Sequence, residues 1–263
     1  MLKTRTKNAF TVRKTLQELL LRVADISRFV SRIIKSLFSS RPEFREGLKQ
    51  FYAVGNQSLF LITFTSLLVG IVFTKQSRPS LSSFGAESWL PALVSAAVVR
   101  SLGPLITGLI CAGKLGSNIA AELGSMKVSE QIDAMEVSGT RPFSFLVVSR
   151  VVATTIALPL LVVYADVMAL LGSFLTVSIF DNTGFMLYVN DVANAVSFLD
   201  IFSSLIKSTF FGFAIGVVGS YAGYYAEGGT SGVGRAANKG VVISMLTIFI
   251  IDLMGVQITG LFR

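Results

Sequence analysis

Between Tyr52 and Thr74 the chain runs for 23 residues without a single charge. A helix of that length rises roughly 35 Å, enough to cross the ~30 Å hydrocarbon core of a bilayer. In lipid every backbone N–H and C=O must be satisfied within the segment, which restricts such a run to helix. Four more apolar stretches follow, at about 89–112, 147–179, 203–225 and 240–261. The expectation is five membrane passes, the third longer than a span requires and bent near Pro159. A soluble protein with a large core is the alternative. It would carry about 25% charged residues, whereas this chain has 14% and a mean hydropathy of +0.69.

The chain contains no histidine and one cysteine, Cys111, inside an apolar run. His-dependent triads and His-zinc sites are therefore excluded. Cys111 reads as a small buried hydrophobe.

The net charge of +8 is concentrated at the amino terminus, where residues 1–50 hold twelve Lys/Arg against four Asp/Glu. The remaining residues balance to zero. A basic arm directly before a span suits a membrane surface better than nucleic acid. Within it Val12, Leu16, Leu19, Val23, Ile26, Val30, Ile33 and Leu37 alternate in spacings of four and three. That pattern predicts a basic amphipathic helix lying in the membrane interface, or a coiled-coil seam, ended at Arg41-Pro42. The chain thus divides into a basic region, 1–50, and a transmembrane domain, 51–263. Basic residues also orient it. Eighteen fall on the side of the amino terminus and three on the other, so the amino terminus is expected in the cytoplasm and Arg263 on the outer side.

The segment AAELGSMKVSEQIDAMEVSG, Ala120–Gly139, holds Glu122, Glu130, Asp133 and Glu136 in a chain with only 15 acids. Ser129 is a candidate N-cap, Glu130 and Asp133 would occupy the first turn, and Gly139 with Pro142 would stop the helix. A helix over about 129–138 follows. Its stripe Val128, Ile132 and Met135 would form an apolar ridge beside an acidic row. It reads as a solvated connector or as a helix that docks a cytoplasmic partner through that ridge.

Gly103 to Pro142, GPLITGLICAGKLGSNIAAELGSMKVSEQIDAMEVSGTRP, resembles the signature region of the MlaE family of ABC-transporter permeases. Shared features are the Gly-Pro opening, the Ala-Gly-Lys-x-Gly run, Ala-Glu-Leu-Gly, and the Glu-Gln-Ile-Asp-Ala-Met-Glu sequence. The likeness extends over nearly the whole chain. It implies an all-helical permease with an interfacial elbow helix, about five spans and a cytoplasmic coupling helix. It also implies a homodimer in a bacterial inner membrane, or alternatively the plastid inner envelope. Expected partners are a cytoplasmic ATPase, which binds ATP and magnesium, an MCE-domain protein and membrane lipids. The chain itself would hold no cofactor or metal and perform no covalent chemistry. Coupling to the ATPase is implied for Val128, Ser129, Glu130, Gln131, Ile132, Asp133, Met135 and Glu136. The family's Arg-Glu-Leu-Gly-Pro appears as Arg100, Ser101, Leu102, Gly103 and Pro104, a candidate substrate path from which the glutamate is missing.

Arg100, Asp166 and Asp252 fall inside expected spans, where ionisable groups are costly and point to function or internal pairing. Without the family's glutamate, the candidate partners for Arg100 are Asp166 in the third span and the phosphate of a lipid headgroup, and the lipid phosphate is the expectation. Lys207, near a span end, is expected to snorkel. Gly108 to Lys114 imitates the phosphate-binding Gly-x4-Gly-Lys spacing, but Leu115 stands where a magnesium-binding hydroxyl is needed. Gly108, Gly113 and Gly116 are better suited to close helix packing and a tight turn. The function expected is ATPase-driven movement of phospholipid or a related lipid between membranes. A stand-alone secondary transporter or channel for a hydrophobic substrate is the alternative.

Overall fold

Each apolar run becomes a helix that continues beyond the length a bilayer demands. The computed structural model of the chain describes residues 24–37, 44–181 and 183–261. It divides into two compact units, Met1–Pro42 and Glu43–Arg263. In the first, residues 24–37 form helix α1. This is the second half of the expected amphipathic helix. Its first half, from Val12, and the break at Arg41-Pro42 lie outside the described residues.

The second unit comprises α2 (Phe44–Ser82), α3 (Glu87–Val128), α4 (Gln131–Val137), α5 (Phe143–Asp181), α6 (Phe185–Ala195), α7 (Phe198–Tyr224) and α8 (Gly229–Leu261). Five of these, α2, α3, α5, α7 and α8, are long and apolar enough to cross a membrane. No strand occurs among the described residues. The protein is an all-α integral membrane protein.

Helix α5 is the centre of the bundle. It packs along α2 on one side and α7 on the other, while α7 and α8 enclose the second half of α3. In its most apolar window 61% of residues are buried, against 17% for α8. Helix–helix contact in lipid depends on close packing, since lipid tails are as apolar as leucine. Small residues supply it here. A Cβ added to Gly70 or Gly172 would overlap the backbone of the facing helix at the α2–α5 crossing. At the α3–α7 crossing, a Cβ on Gly223 would lie 2.7 Å from the Ala120 carbonyl oxygen. Ile62, Leu123, Ile132, Leu158, Phe211, Ile215 and Ile248 fill the core between them.

The expected tight turn at Gly113–Gly116 does not form. Helix α3 instead runs on through two π-helical stretches, Val98–Leu102 and Ala112–Gly116. A turn at that depth would leave backbone groups unsatisfied, whereas a π-bulge inserts a residue at little cost in hydrogen bonds. Gly116 serves packing: a Cβ on Gly240 of α8 would sit 3.1 Å from its carbonyl oxygen. Because α3 crosses fully, α4 lies at the face where α3 ends and α5 begins. The unexpected short helix α6 lies at the opposite face, between the end of α5 and the start of α7.

Candidate functional site

Two sets of residues stand out, one at the α4 face and one within the spans. At the α4 face, Ser129 closes α3 rather than capping α4. Its N–H and hydroxyl both donate to the Ser125 carbonyl oxygen, at 3.0 and 2.8 Å. Glu130 follows with φ +59°, a left-handed conformation uncommon for a residue with a Cβ. Helix α4 therefore starts at Gln131 and has seven residues, shorter than the expected 129–138. Its end matches the expectation. Gly139 has φ +78°, its N–H reaches the Glu136 carbonyl at 3.1 Å, and Thr140 N–H reaches Met135 at 3.1 Å. This is a Schellman closure, which requires a left-handed residue at the position glycine occupies.

The apolar ridge faces inward, contrary to its expected role in docking. Ile132 is 1% exposed within the chain's own core, and Met135 packs against the same cluster. Val128 is half-buried. Beneath the spans, the nearest apolar surface available to a two-turn helix is the protein's own, and burying an isoleucine there is worth about 2 kcal/mol. What α4 leaves outside is Glu130, Gln131, Asp133, Ala134, Glu136 and Val137, the last 91% exposed. The four carboxylates also separate in function. Glu122 pairs with Arg150 at 3.0 Å and ties α3 to α5, while Asp133 pairs with Lys127 at 2.8 Å across the α3–α4 turn. Glu130 and Glu136 are exposed.

Within the spans, the partner of Arg100 is Asp200, not Asp166. Its Nε donates to Asp200 Oδ1 at 3.2 Å. Asp200 also accepts from the Ser197 N–H at 3.2 Å and hydroxyl at 2.9 Å, completing a capping box that starts α7. Lys207 does not snorkel. It is 3% exposed, and its Nζ donates to Asp252 Oδ1 at 3.0 Å and to the Arg100 carbonyl oxygen at 2.8 Å. Gly255 makes room for it, since a Cβ there would lie 2.5 Å from Lys207 Cδ. Asp166 instead abuts Gly103, with Oδ1 buried and lacking a hydrogen bond among the described residues. Gly103 and Pro104 are buried, and Arg100, Ser101 and Leu102 half-buried. The sequence Ser197-x-x-Asp200 carries a capping-box signal that marks Asp200 as a helix start; nothing in the sequence pairs Lys207 with Asp252.

The geometry now has a family to belong to. The family model described as Permease MlaE matches residues 47–258. This chain belongs to the MlaE permease family. A probable ABC transporter permease protein of Rickettsia typhi is 37% identical over 203 residues, covering 77% of this chain and 78% of its own. A probable ABC transporter permease protein of Synechocystis is 33% identical, covering 83% of each chain. The chloroplastic protein TRIGALACTOSYLDIACYLGLYCEROL 1 of Arabidopsis thaliana is 33% identical over 84% of this chain, which spans 63% of its length. As an MlaE permease the chain is a membrane subunit of an ABC transporter, and that role implies an ATPase partner.

Proposed function

We propose that the chain is half of a homodimeric lipid permease, coupled through α4 to a cytoplasmic ATPase that binds the ATP and magnesium. The observation that carries the coupling is the two-sidedness of α4. Ile132 anchors it to the spans, while Glu130, Gln131, Asp133, Glu136 and Val137 are left exposed at its free side. A push on such a helix passes directly into α3 and α5, to which it is joined at both ends. Lipid as cargo is supported by the Arabidopsis relative, whose name is that of a galactolipid. The exposed apolar side of α8 is available to a second copy. In this reading Arg100, Ser101, Leu102, Gly103 and Pro104 border the lipid path. The Arg100 side chain is 41% exposed, and Asp200 engages only Nε and Nη2, so Nη1 can reach a phosphate oxygen. An MCE-domain protein on the opposite face completes the system. The expected setting is a cell inner membrane, with the plastid inner envelope as the alternative. The amino terminus faces the cytoplasm, and the chain itself takes no part in covalent chemistry or nucleic-acid binding.

A stand-alone secondary transporter is the second reading. It is favoured by the buried Lys207–Asp252 pair, since intramembrane ion pairs serve carriers that move protons or ions. Purification of the tagged chain co-expressed with the ABC ATPase of its own organism separates the two. The lipid-permease reading expects a stable complex with bound phospholipid. A chain that purifies alone and without lipid would overturn it.

A further inference from the structure

At the face opposite α4, the start of α3 and helix α6 border an open, shallow cleft of about 270 Å³ lined by Ser88, Trp89, Ala92, Asp191, Asn194 and Ala195. Its chemistry is one carboxylate, one indole and two small polar groups, with no basic side chain. Asp191 has no ion-pair partner among the described residues. A carboxylate and an indole lining one cleft are the two groups that hold an organic ammonium ion, through Coulomb attraction and the ring quadrupole.

The setting of the cleft selects the source of that ammonium. Helix α6 has 11 residues, a rise of roughly 16 Å, too short to cross a ~30 Å core. Both its ends are tied to spans that meet the same face. One side is fixed to the bundle. Tyr188 is buried, donates to the Leu170 carbonyl oxygen at 3.1 Å and meets the Phe174 ring at a tilt, with centroids 5.4 Å apart, and burial pushes its phenol above the ordinary value. A second side presents Phe185, Met186 and Val189, which are 59%, 82% and 42% exposed. Exposed Phe84 and Phe198 lie at the same face. A short helix with one such apolar side lies in the membrane interface with that side buried at the boundary of headgroups and acyl chains. Asn190, Asp191 and Asn194 occupy a third sector of α6, so the cleft opens beside a surface suited to acyl chains.

We propose that the α3–α6 cleft binds the ammonium headgroup of a membrane lipid of the phosphatidylcholine or phosphatidylethanolamine class, with Asp191 as counter-ion and Trp89 as the ring face. This goes beyond the transport reading and requires only that α6 lie at a membrane face. Trp89 is the only tryptophan, so intrinsic emission reports the cleft directly. The full chain is reconstituted in phosphatidylglycerol vesicles with increasing phosphatidylcholine. The expected result is a saturating change in Trp89 emission, with Asp191→Asn raising the half-saturating fraction about tenfold at unchanged helix content and melting. An emission independent of phosphatidylcholine, or an Asp191→Asn variant that titrates like the parent, overturns the site. An equal response to soluble choline in vesicles of phosphatidylglycerol alone overturns the lipid assignment. Transport measured on the same vesicles is a separate readout, so loss of the emission response with transport intact rejects this site and leaves the permease reading standing.

Discussion

Lys207 is the residue on which the intramembrane charges depend most. Its side chain is 4% exposed and that of Asp252 11%. Removing one member of a buried pair leaves the other charge uncompensated and typically costs about 3–5 kcal/mol, whereas replacing both by apolar groups is near neutral. Lys207→Ala is therefore expected to lower the melting temperature in detergent strongly, and Lys207→Met with Asp252→Leu to restore most of it; equal losses in both would contradict the pairing. Arg100 is different. Its side chain is 41% exposed, and the 5% exposed Asp200 keeps its two bonds from Ser197, so Arg100→Ala is expected to cost less stability than Lys207→Ala. It should instead reduce co-purified phospholipid, and unchanged lipid occupancy would remove Arg100 from the path. These pairings were only partly legible in the sequence. Arg100, Asp166 and Asp252 stand out as charges at depth and Lys207 reads as a residue near a span end, but partners on different helices are chosen by rotation about each helix axis. The π-helical stretch Val98–Leu102 alters that rotation in α3 without a distinctive sequence signal.

At the scale of the element, α4 illustrates which boundaries local chemistry decides. Its end was legible because Gly139 and Pro142 have strong backbone preferences. Its start was not, since Ser129 and Glu130 suit a cap as well as the closing turn of α3, and core packing chose the latter. The inward ridge decides what mutation there does. Ile132→Glu places a charge in the core and is expected to destabilise the whole protein by several kcal/mol, visible as poor insertion and early melting. Val137→Asp combined with Glu136→Lys changes only exposed positions. It should leave melting unchanged while lowering the ATPase retained on purification by tenfold or more, on the order of one lost interface anchor. Normal ATPase retention in that double variant would move the docking surface away from α4. Helix α6 was not foreseen, because its 11 residues sit between two apolar runs and offer no span-length signal.

For the whole molecule, five passes were readable from the length of the apolar runs, because a bilayer leaves helix as the only economical solution for each run. How the helices neighbour one another was not readable; it follows from glycines such as Gly70, Gly172 and Gly223, whose role appears only when the facing backbone is known. An odd number of spans places the two ends of the transmembrane unit on opposite faces. A phosphatase fused after Arg263 is expected to be active outside the cytoplasm, and activity confined to a cytoplasmic reporter would require an even number of passes. The central claim is that this MlaE permease moves lipid under the drive of a separate ATPase. Its most direct test is transfer of a fluorescent phospholipid in proteoliposomes containing the chain with and without its ATPase. The account predicts transfer that requires both subunits and ATP hydrolysis and is indifferent to a proton or sodium gradient. Transfer by the chain alone, driven by such a gradient and unaffected by ATP, would contradict it.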